Sequence, residues 1–435
     1  MNKYDVIVIG GGPAGLMAAA AAGRQGARVL LLEKGDRLGR KLIISGGGRC
    51  NVTNRKPYDD LVRQIVGNGR FMYSALRQFG SEEIIRFFEG LGIRLKEEDN
   101  GRMFPVTDRA VSVAAALIEH LKELGVAVRL HASVARLLLG DNQCEGVLLE
   151  GGEKIKAGAV IVAVGGKSVP KTGSTGDGYA WAAQAGHTIT PLYPTEVPLK
   201  ASDSYIRQRT LQGLSLQDVG LTLIDGRGKR LTAQRGDIIF THFGLSGPAA
   251  LRVSHYVSVA RMKDGANSLP LTLDLFPDRG ADRVQQEVTG LLAGEPKKAV
   301  KNVLRAMFAE RLIPVLLEMA GIDEATTQPH LSKENLTALV RAAKAFPVTV
   351  TGTLSLEEAF VTGGGVSVKE IDPTTMASRL VPGLFFAGEV MDVHAHTGGY
   401  NITVAFSSGW AAGQAAAQRT QEEEALHRNG PQDIR

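Results

Sequence analysis

The sequence predicts an α/β fold in which a doubly wound nucleotide-binding domain is split by an inserted β-rich and helical domain. Three observations predict it. A β-α-β unit opens the chain, apolar strands ending in glycine recur in its middle and near its end, and the stretch between those recurrences has lost the β-α-β rhythm. At 435 residues two domains are the default expectation, and 44% apolar with 22% charged residues is the balance of a folded globular chain, not of a disordered or membrane-embedded one.

Each element follows in turn. Tyr4 to Ile9 is a short buried strand, Gly15 to Gly26 an Ala-rich helix, and Arg28 to Glu33 a second apolar strand. Ala18 to Ala22 imitates the end of a signal peptide, but Asp5 precedes it and Gly10-Gly11-Gly12-Pro13 breaks what would have to be a continuous apolar helix. No other stretch is long and apolar enough for a bilayer, so the expectation is a cytoplasmic protein without membrane contact. A later strand, Ala159 to Val164, ends in Gly165-Gly166, and Leu384 to Ala387 ends in Gly388. Between them lie short strands such as Val219 to Ile224 and Leu271 to Leu275, turn signals such as Asp225-Gly226, and helices over Lys297 to Met319 and Ser332 to Ala345. The expected boundaries are 1–190 and 347–420 for the discontinuous nucleotide domain, 191–346 for the insert, and 421–435 for a frayed polar tail. Most of the net charge of +5 falls on the insert, a mild excess compatible with simple solubility or with a nucleic-acid-facing surface.

The strongest local motif is Gly10-Gly11-Gly12-Pro13-Ala14-Gly15. Gly10 permits the turn out of the strand, Gly12 lets backbone approach a pyrophosphate, and Gly15 lets the helix pack against the sheet. Pro13 and Ala14 start the helix, whose free N–H groups and dipole face the phosphates. Glu33 ends the second strand, with Lys34 beside it, where a carboxylate accepts ribose hydroxyls and disfavours a 2′-phosphate. This is a Rossmann-like dinucleotide site.

Two further glycine-ended strands flank the insert, and the last one reads Phe386-Ala387-Gly388-Glu389 with Asp392 beyond, which points to FAD over NAD. Ser45-Gly46-Gly47-Gly48-Arg49-Cys50-Asn51 is a backbone that can lie flat against a ring or phosphate, with Arg40, Lys41 and Arg49 supplying positive charge around it. Gly398-Gly399-Tyr400-Asn401, with Ile402 following, opens another helix whose dipole suits negative charge on a reduced ring. Cys50 is either a proton donor or a small buried lining residue, His394 and His396 are either proton donors and anion-binding groups or plain loop residues, and Tyr400 either stacks or packs. With only Cys50 and Cys144 there is no metal-ligand spacing, no iron–sulfur ligation and no Cys-x-x-Cys redox pair.

These motifs, together with Gly101-Arg102-Met103-Phe104-Pro105, Gly173-Ser174-Thr175-Gly176-Asp177-Gly178 and Thr241-His242-Phe243-Gly244-Leu245-Ser246-Gly247-Pro248, span residues 4 to about 413. The chain resembles a bacterial two-domain FAD flavoprotein family that includes ribosomal RNA dihydrouridine synthase, bile-acid-intermediate reductase and aminoacetone oxidase-like proteins. The resemblance implies FAD as cofactor, NAD(P)H as a transient reductant, and reduction of an activated C=C bond, with uridine in 23S ribosomal RNA as the first substrate expectation. The alternative is a small-molecule amine oxidase or enoyl-type reductase. Many relatives carry Asp-Val-Asp-Gly where this chain has Asp392-Val393-His394-Ala395, which brings two imidazoles toward the flavin end. If RNA is the substrate, Arg207, Arg209, Lys297, Lys298, Lys301 and Arg305 are the expected phosphate contacts, the last four on or near one helix. Oligomeric state is not legible.

Overall fold

In the computed structural model residues 4–141 and 143–428 are described, and the chain divides into two compact units, Met1–Tyr193 with Val361–Arg435, and Pro194–Phe360. Six strands of the first unit run in chain order as β1 (Tyr4–Ile9), β2 (Val29–Leu32), β3 (Ala127–Arg129), β4 (Val134–Leu139), β5 (Cys144–Leu149) and β6 (Lys154–Val162). β1 sits between β2 and β6, parallel to both, and β3 extends the parallel sheet beyond β2. β4 and β5 join β6 as an antiparallel meander, and the late strand Leu384–Phe386 pairs in parallel with β6, making seven strands. Val6 to Val8 and Leu30 to Leu32 are fully buried, the continuous apolar run of strands covered on both faces.

The first helix, Pro13–Arg24, packs against the C-terminal helix, Tyr400–Arg428. Its alanines have a definite use. A Cβ at Gly409 would collide with the carbonyl oxygen of Ala14, and one at Gly413 with that of Ala18. Two glycines four apart on one helix and small residues on the other let the backbones touch. The C-terminal helix runs through the expected polar tail as far as Arg428, and the rest of that tail, residues 429–435, lies outside the described residues.

The second unit is a closed six-stranded barrel with helices. Its strands are β7 (Leu199–Ala201), β8 (Ser215–Ile224), β9 (Arg230–Phe240), β10 (Gly244–Ser246), β11 (Leu269–Asp274) and β12 (Phe346–Thr353). The order around the barrel is β7-β10-β9-β8-β11-β12, and β12 returns to pair with β7. Alternation drives it: Val219, Leu221 and Leu223 of β8 and Phe346, Val348 and Val350 of β12 point inward and are buried. Because β12 closes the barrel, the second unit continues to Phe360, past the boundary expected at 346. The helix expected over Lys297 to Met319 is two helices, Val300–Leu304 and Ile313–Met319. Pro314 lies in the first turn of the second, where its missing N–H is harmless, whereas in mid-helix it would break the ladder.

Candidate cofactor site

Segments far apart in the sequence meet in the first unit. The carbonyl end of β1 turns at Gly10, whose φ of +103° is left-handed and whose Cβ would sit 2.6 Å from the Ala163 oxygen. A Cβ at Gly15 would collide with the Gly10 carbonyl, so this glycine sets the closeness of helix and sheet. Gly12 differs: a Cβ there meets no protein atom within 4 Å. Pro13 starts the helix directly after it. Gly388 reaches the same corner from the other end of the chain, with space for a Cβ closed by the Ala14 methyl at 2.8 Å, and its N–H donates to Ser408 Oγ at 2.9 Å.

Glu33 is braced before any ligand is considered. Gly11 N–H donates to Oε2 at 2.8 Å and Gly35 N–H to Oε1 at 2.7 Å. Each carboxylate oxygen retains a lone pair. Lys34 is committed to Asp177 at 2.6 Å and to Thr175 Oγ1, tying two motif segments together.

The helix Arg40–Gly48 changes character at Ser45, where ψ swings to 150°, and Gly46, Gly47 and Gly48 then take left-handed conformations. All three are exposed, and a Cβ at Gly47 or Gly48 meets nothing within 4 Å. The loop is stitched to the last motif. Asn54 Nδ2 donates to the Gly398 carbonyl at 2.9 Å, Thr53 Oγ1 and Thr403 Oγ1 share a hydrogen bond at 2.8 Å, and a Cβ on Gly399 would lie 2.8 Å from Asn51 Oδ1. Asn51 Oδ1 is buried without a hydrogen-bond partner, an unsatisfied acceptor of the kind a ring N–H would satisfy. The open backbone at Gly12, Gly47 and Gly48, the braced Glu33 and this orphaned acceptor fit an FAD molecule.

The expected ring of free positive charge is corrected. Arg40 pairs with Asp36, and Lys41 Nζ binds Glu389 Oε2 at 2.6 Å and Ser168 Oγ at 3.1 Å. Arg49 binds Glu98 and Asp108 and lies 4.2 Å from the centroid of Phe104. These hydrogen bonds hold the Glu98 and Asp108 carboxyls below their usual range, Asp108 chiefly through Lys96. Each cation is neutralised locally, so the arginines stiffen the loop and do not offer spare charge. Glu389 is held in turn, its Oε1 accepting from Thr362 N–H at 2.7 Å and Ser168 Oγ at 3.0 Å. Gly165 and Gly166 bring this segment close: Cβ atoms there would meet Ser174 Oγ and Thr362 Oγ1. Ser168 and Thr362 escaped the sequence reading; the triplet Gly363-Gly364-Gly365 next to Thr362 was their only signal.

The four candidate reactive residues are all buried but differ in their partners. Cys50 is 0% exposed, sits at a left-handed φ of +62°, and burial pushes its thiol up to about 12. It is a neutral core residue with no surface for a substrate. Tyr400, 3% exposed, packs on Gly398 with Lys56 over its ring, so it presents no face for stacking. His396 is buried, and its backbone N–H donates to the Gln64 carbonyl at 2.9 Å. His394 is buried too, but its imidazole meets Tyr193: Nε2 and the tyrosine hydroxyl share a hydrogen bond at 3.3 Å. Asn401 fixes this loop, accepting from Ala395 N–H at 2.8 Å and donating to the Ala395 carbonyl at 2.7 Å, while Ile402 is half-buried beside it. Asp392 is half-buried, and burial raises its carboxyl above the usual range despite hydrogen bonds from Thr190, Asn68 and Gly364. Tyr193 was not singled out from sequence, and nothing in Leu192-Tyr193-Pro194 marks it. Among the described residues no cluster of His, Cys, Asp or Glu could hold a metal, and no helix is long and apolar enough to cross a membrane.

Comparison with known proteins places this geometry. The family described as HI0933-like protein Rossmann domain matches residues 4–415. The chain is 32% identical over 421 residues to the 3-dehydro-bile acid delta(4,6)-reductase of Clostridium scindens, covering 96% of this chain and 100% of that one. It is 32% identical over 415 residues to the ribosomal RNA dihydrouridine synthase of Escherichia coli, covering 95% and 98%. The fold is also that of 3-ketosteroid delta1-dehydrogenase from Sterolibacterium denitrificans, at a TM-score of 0.52 and 14% identity over 96% of this chain and 100% of that one. The chain belongs to the HI0933-like Rossmann-domain family and is an FAD-dependent oxidoreductase.

Proposed function

We propose that the protein reduces an activated C=C bond with electrons from NAD(P)H, and that its substrate is a uridine of 23S ribosomal RNA, which becomes dihydrouridine. The observation that carries the reading is the meeting of Ala14 and Gly388, which brings the first and last glycine motifs to one corner, in a chain aligned over nearly its whole length with a reductase and a ribosomal RNA dihydrouridine synthase. When bound, FAD supplies the hydride. Gly10, Gly12 and Gly15 with the helix N-terminus at Pro13 would hold the pyrophosphate, Glu33 the adenosine ribose, Gly46 to Arg49 and Asn51 the flavin end, and the Lys41–Glu389 pair with Gly165, Gly166 and Asp392 the connecting chain.

Hydride on one carbon requires a proton on the other. Cys50 has no access, whereas Tyr193 is half-buried, and we assign the proton to its hydroxyl with the buried His394 behind it. Burial keeps the Tyr193 phenol protonated at neutral pH, with the Asp392 carboxylate adding to the effect, and His394 Nε2 is placed to return a proton to its oxygen. Salt-sensitive contacts hold the RNA, which must present an unstacked base. The bile-acid reductase relative favours a second reading, reduction of a small conjugated enone.

The test is anaerobic incubation of the FAD-loaded protein with NADH or NADPH and a 23S ribosomal RNA fragment lacking dihydrouridine. The reading expects a uridine to gain two hydrogens by mass. An unchanged RNA alongside oxidation of the reduced flavin by a steroid enone would put the second reading in its place.

A further inference from the structure

Of the six expected phosphate contacts, Arg207, Arg209 and Lys297 are exposed, and the other three are already paired. Lys298 pairs with Glu295 at 2.8 Å, Lys301 with Glu324 at 2.8 Å and Arg305 with Glu310 at 2.7 Å. Cations already bound to carboxylates gain little from a phosphate, because the new contact must first release the old one. Lys301 lies in the short helix Val300–Leu304 and Arg305 caps its end, and each already faces an acid.

The tip of the β8–β9 hairpin is different. Asp225-Gly226-Arg227-Gly228-Lys229-Arg230 places three cations within four positions, all exposed, and none forms an ion pair among the described residues. One acid is nearby: Asp225 Oδ1 accepts the N–H groups of Arg227 at 2.9 Å and Lys229 at 2.8 Å, and its charge attracts their side chains without closing an ion pair. That carboxylate therefore shapes the turn. Asp225 N–H donates to the Lys229 carbonyl at 2.9 Å, Gly228 N–H to the Asp225 carbonyl at 3.1 Å, and Gly228 takes the left-handed φ of +82° that this tight hairpin requires. The flanking strands are long, ten and eleven residues, and belong to a closed barrel, so the tip is presented on a rigid support.

We infer that Arg227, Lys229 and Arg230 form a docking point for the phosphate backbone of RNA. The inference rests on the RNA reading above and adds a surface of the second unit that engages the substrate's phosphates. Three side chains on a fixed turn can neutralise adjacent phosphates without reading sequence, which suits an enzyme whose specificity comes from the base presented to the flavin. No side-chain ion pair has to open here, and Asp225 is the one acid of the turn that competes with a phosphate.

The experiment is fluorescence anisotropy of a labelled 23S ribosomal RNA fragment with the FAD-loaded protein over a salt series, comparing wild type with a triple variant, Arg227→Gln, Lys229→Gln and Arg230→Gln. The expected result is a loss of about tenfold or more in affinity and a fall of about two to three in the slope of log K against log salt. FAD absorbance and reduction by NADPH should match wild type, showing an intact first unit. Equal affinity and equal slope in the two proteins, with wild type binding well, would overturn the hairpin assignment alone. A wild type that fails to retain RNA at low salt would overturn both it and the RNA reading.

Discussion

The Tyr193 hydroxyl and His394 Nε2 share a hydrogen bond at 3.3 Å with their rings nearly perpendicular, at 89°, and Gly67 makes the arrangement possible, since a Cβ there would overlap the imidazole. Gly67 N–H also donates to the His394 carbonyl at 2.9 Å, so backbone and side chain are fixed together. A Tyr193→Phe variant should keep its FAD and its reduction by NAD(P)H, yet lose about a hundredfold in substrate reduction. Stopped-flow measurement of the two half-reactions separates these. Equal loss in both would assign the pair to packing.

Gly12 and Gly15 should part company. A Gly12→Val chain meets no protein atom within 4 Å of its new Cβ, so it should still fold, at a cost of about 1 kcal/mol for a valine at the helix N-cap, and lose FAD. Gly15→Ala collides with backbone and should cost about 3 kcal/mol or more of stability. Thermal unfolding with and without added FAD reads both; a Gly12→Val protein that retains full FAD contradicts the placement of the pyrophosphate.

Lys41 and Glu389 are 348 residues apart and joined at 2.6 Å, with side chains about one-fifth exposed. Removing the cation in Lys41→Met leaves a carboxylate held only by Ser168 and Thr362. Partial exposure moderates the penalty to about 1–2 kcal/mol, read as a roughly tenfold weaker FAD dissociation constant in a flavin-fluorescence titration. Glu389→Gln in the same background should restore part of the loss.

Cys50 should resist alkylation. Burial raises its thiol from an ordinary 9.0 to about 12, so the neutral form persists in the folded protein well above neutral pH. A raised folded value means the folded state keeps this proton longer than the unfolded chain does. The stability it confers is complete below about pH 9 and is lost as pH rises toward about 12. Mass-detected iodoacetamide labelling at pH 8 should therefore mark Cys50 only after denaturation, and Cys50→Ala should remain active. Fast labelling of the native protein would restore it as a candidate acid.

Much of the fold was legible because its signals are local. The strand, glycine turn and Ala-rich helix from Tyr4 to Gly26 obey spacing rules that need no partner, and the alternation of Val219, Leu221 and Leu223 marks a strand wherever it pairs. What escaped the sequence depends on distant partners. Phe346 to Thr353 alternates visibly, but only its pairing with β7 and β11 assigns it to the barrel. Arg49 looked like free charge because Glu98 and Asp108 are remote in sequence. Gly409 and Gly413 carry no local signal, and their need comes from the Ala14 and Ala18 carbonyls opposite them. Cys50 and Tyr400 were chosen for their chemistry, whereas burial, which spacing does not reveal, decides their access.

The most direct measurement is the dihydrouridine content of 23S ribosomal RNA from cells that carry the gene, from cells in which it is deleted, and from deleted cells expressing the wild-type or Gly12→Val chain, read by mass spectrometry of nuclease digests. The account predicts that one dihydrouridine disappears on deletion, returns with the wild-type chain, and does not return with Gly12→Val. Unchanged dihydrouridine after deletion would contradict the RNA substrate, and full restoration by a flavin-free Gly12→Val chain would contradict the role of FAD.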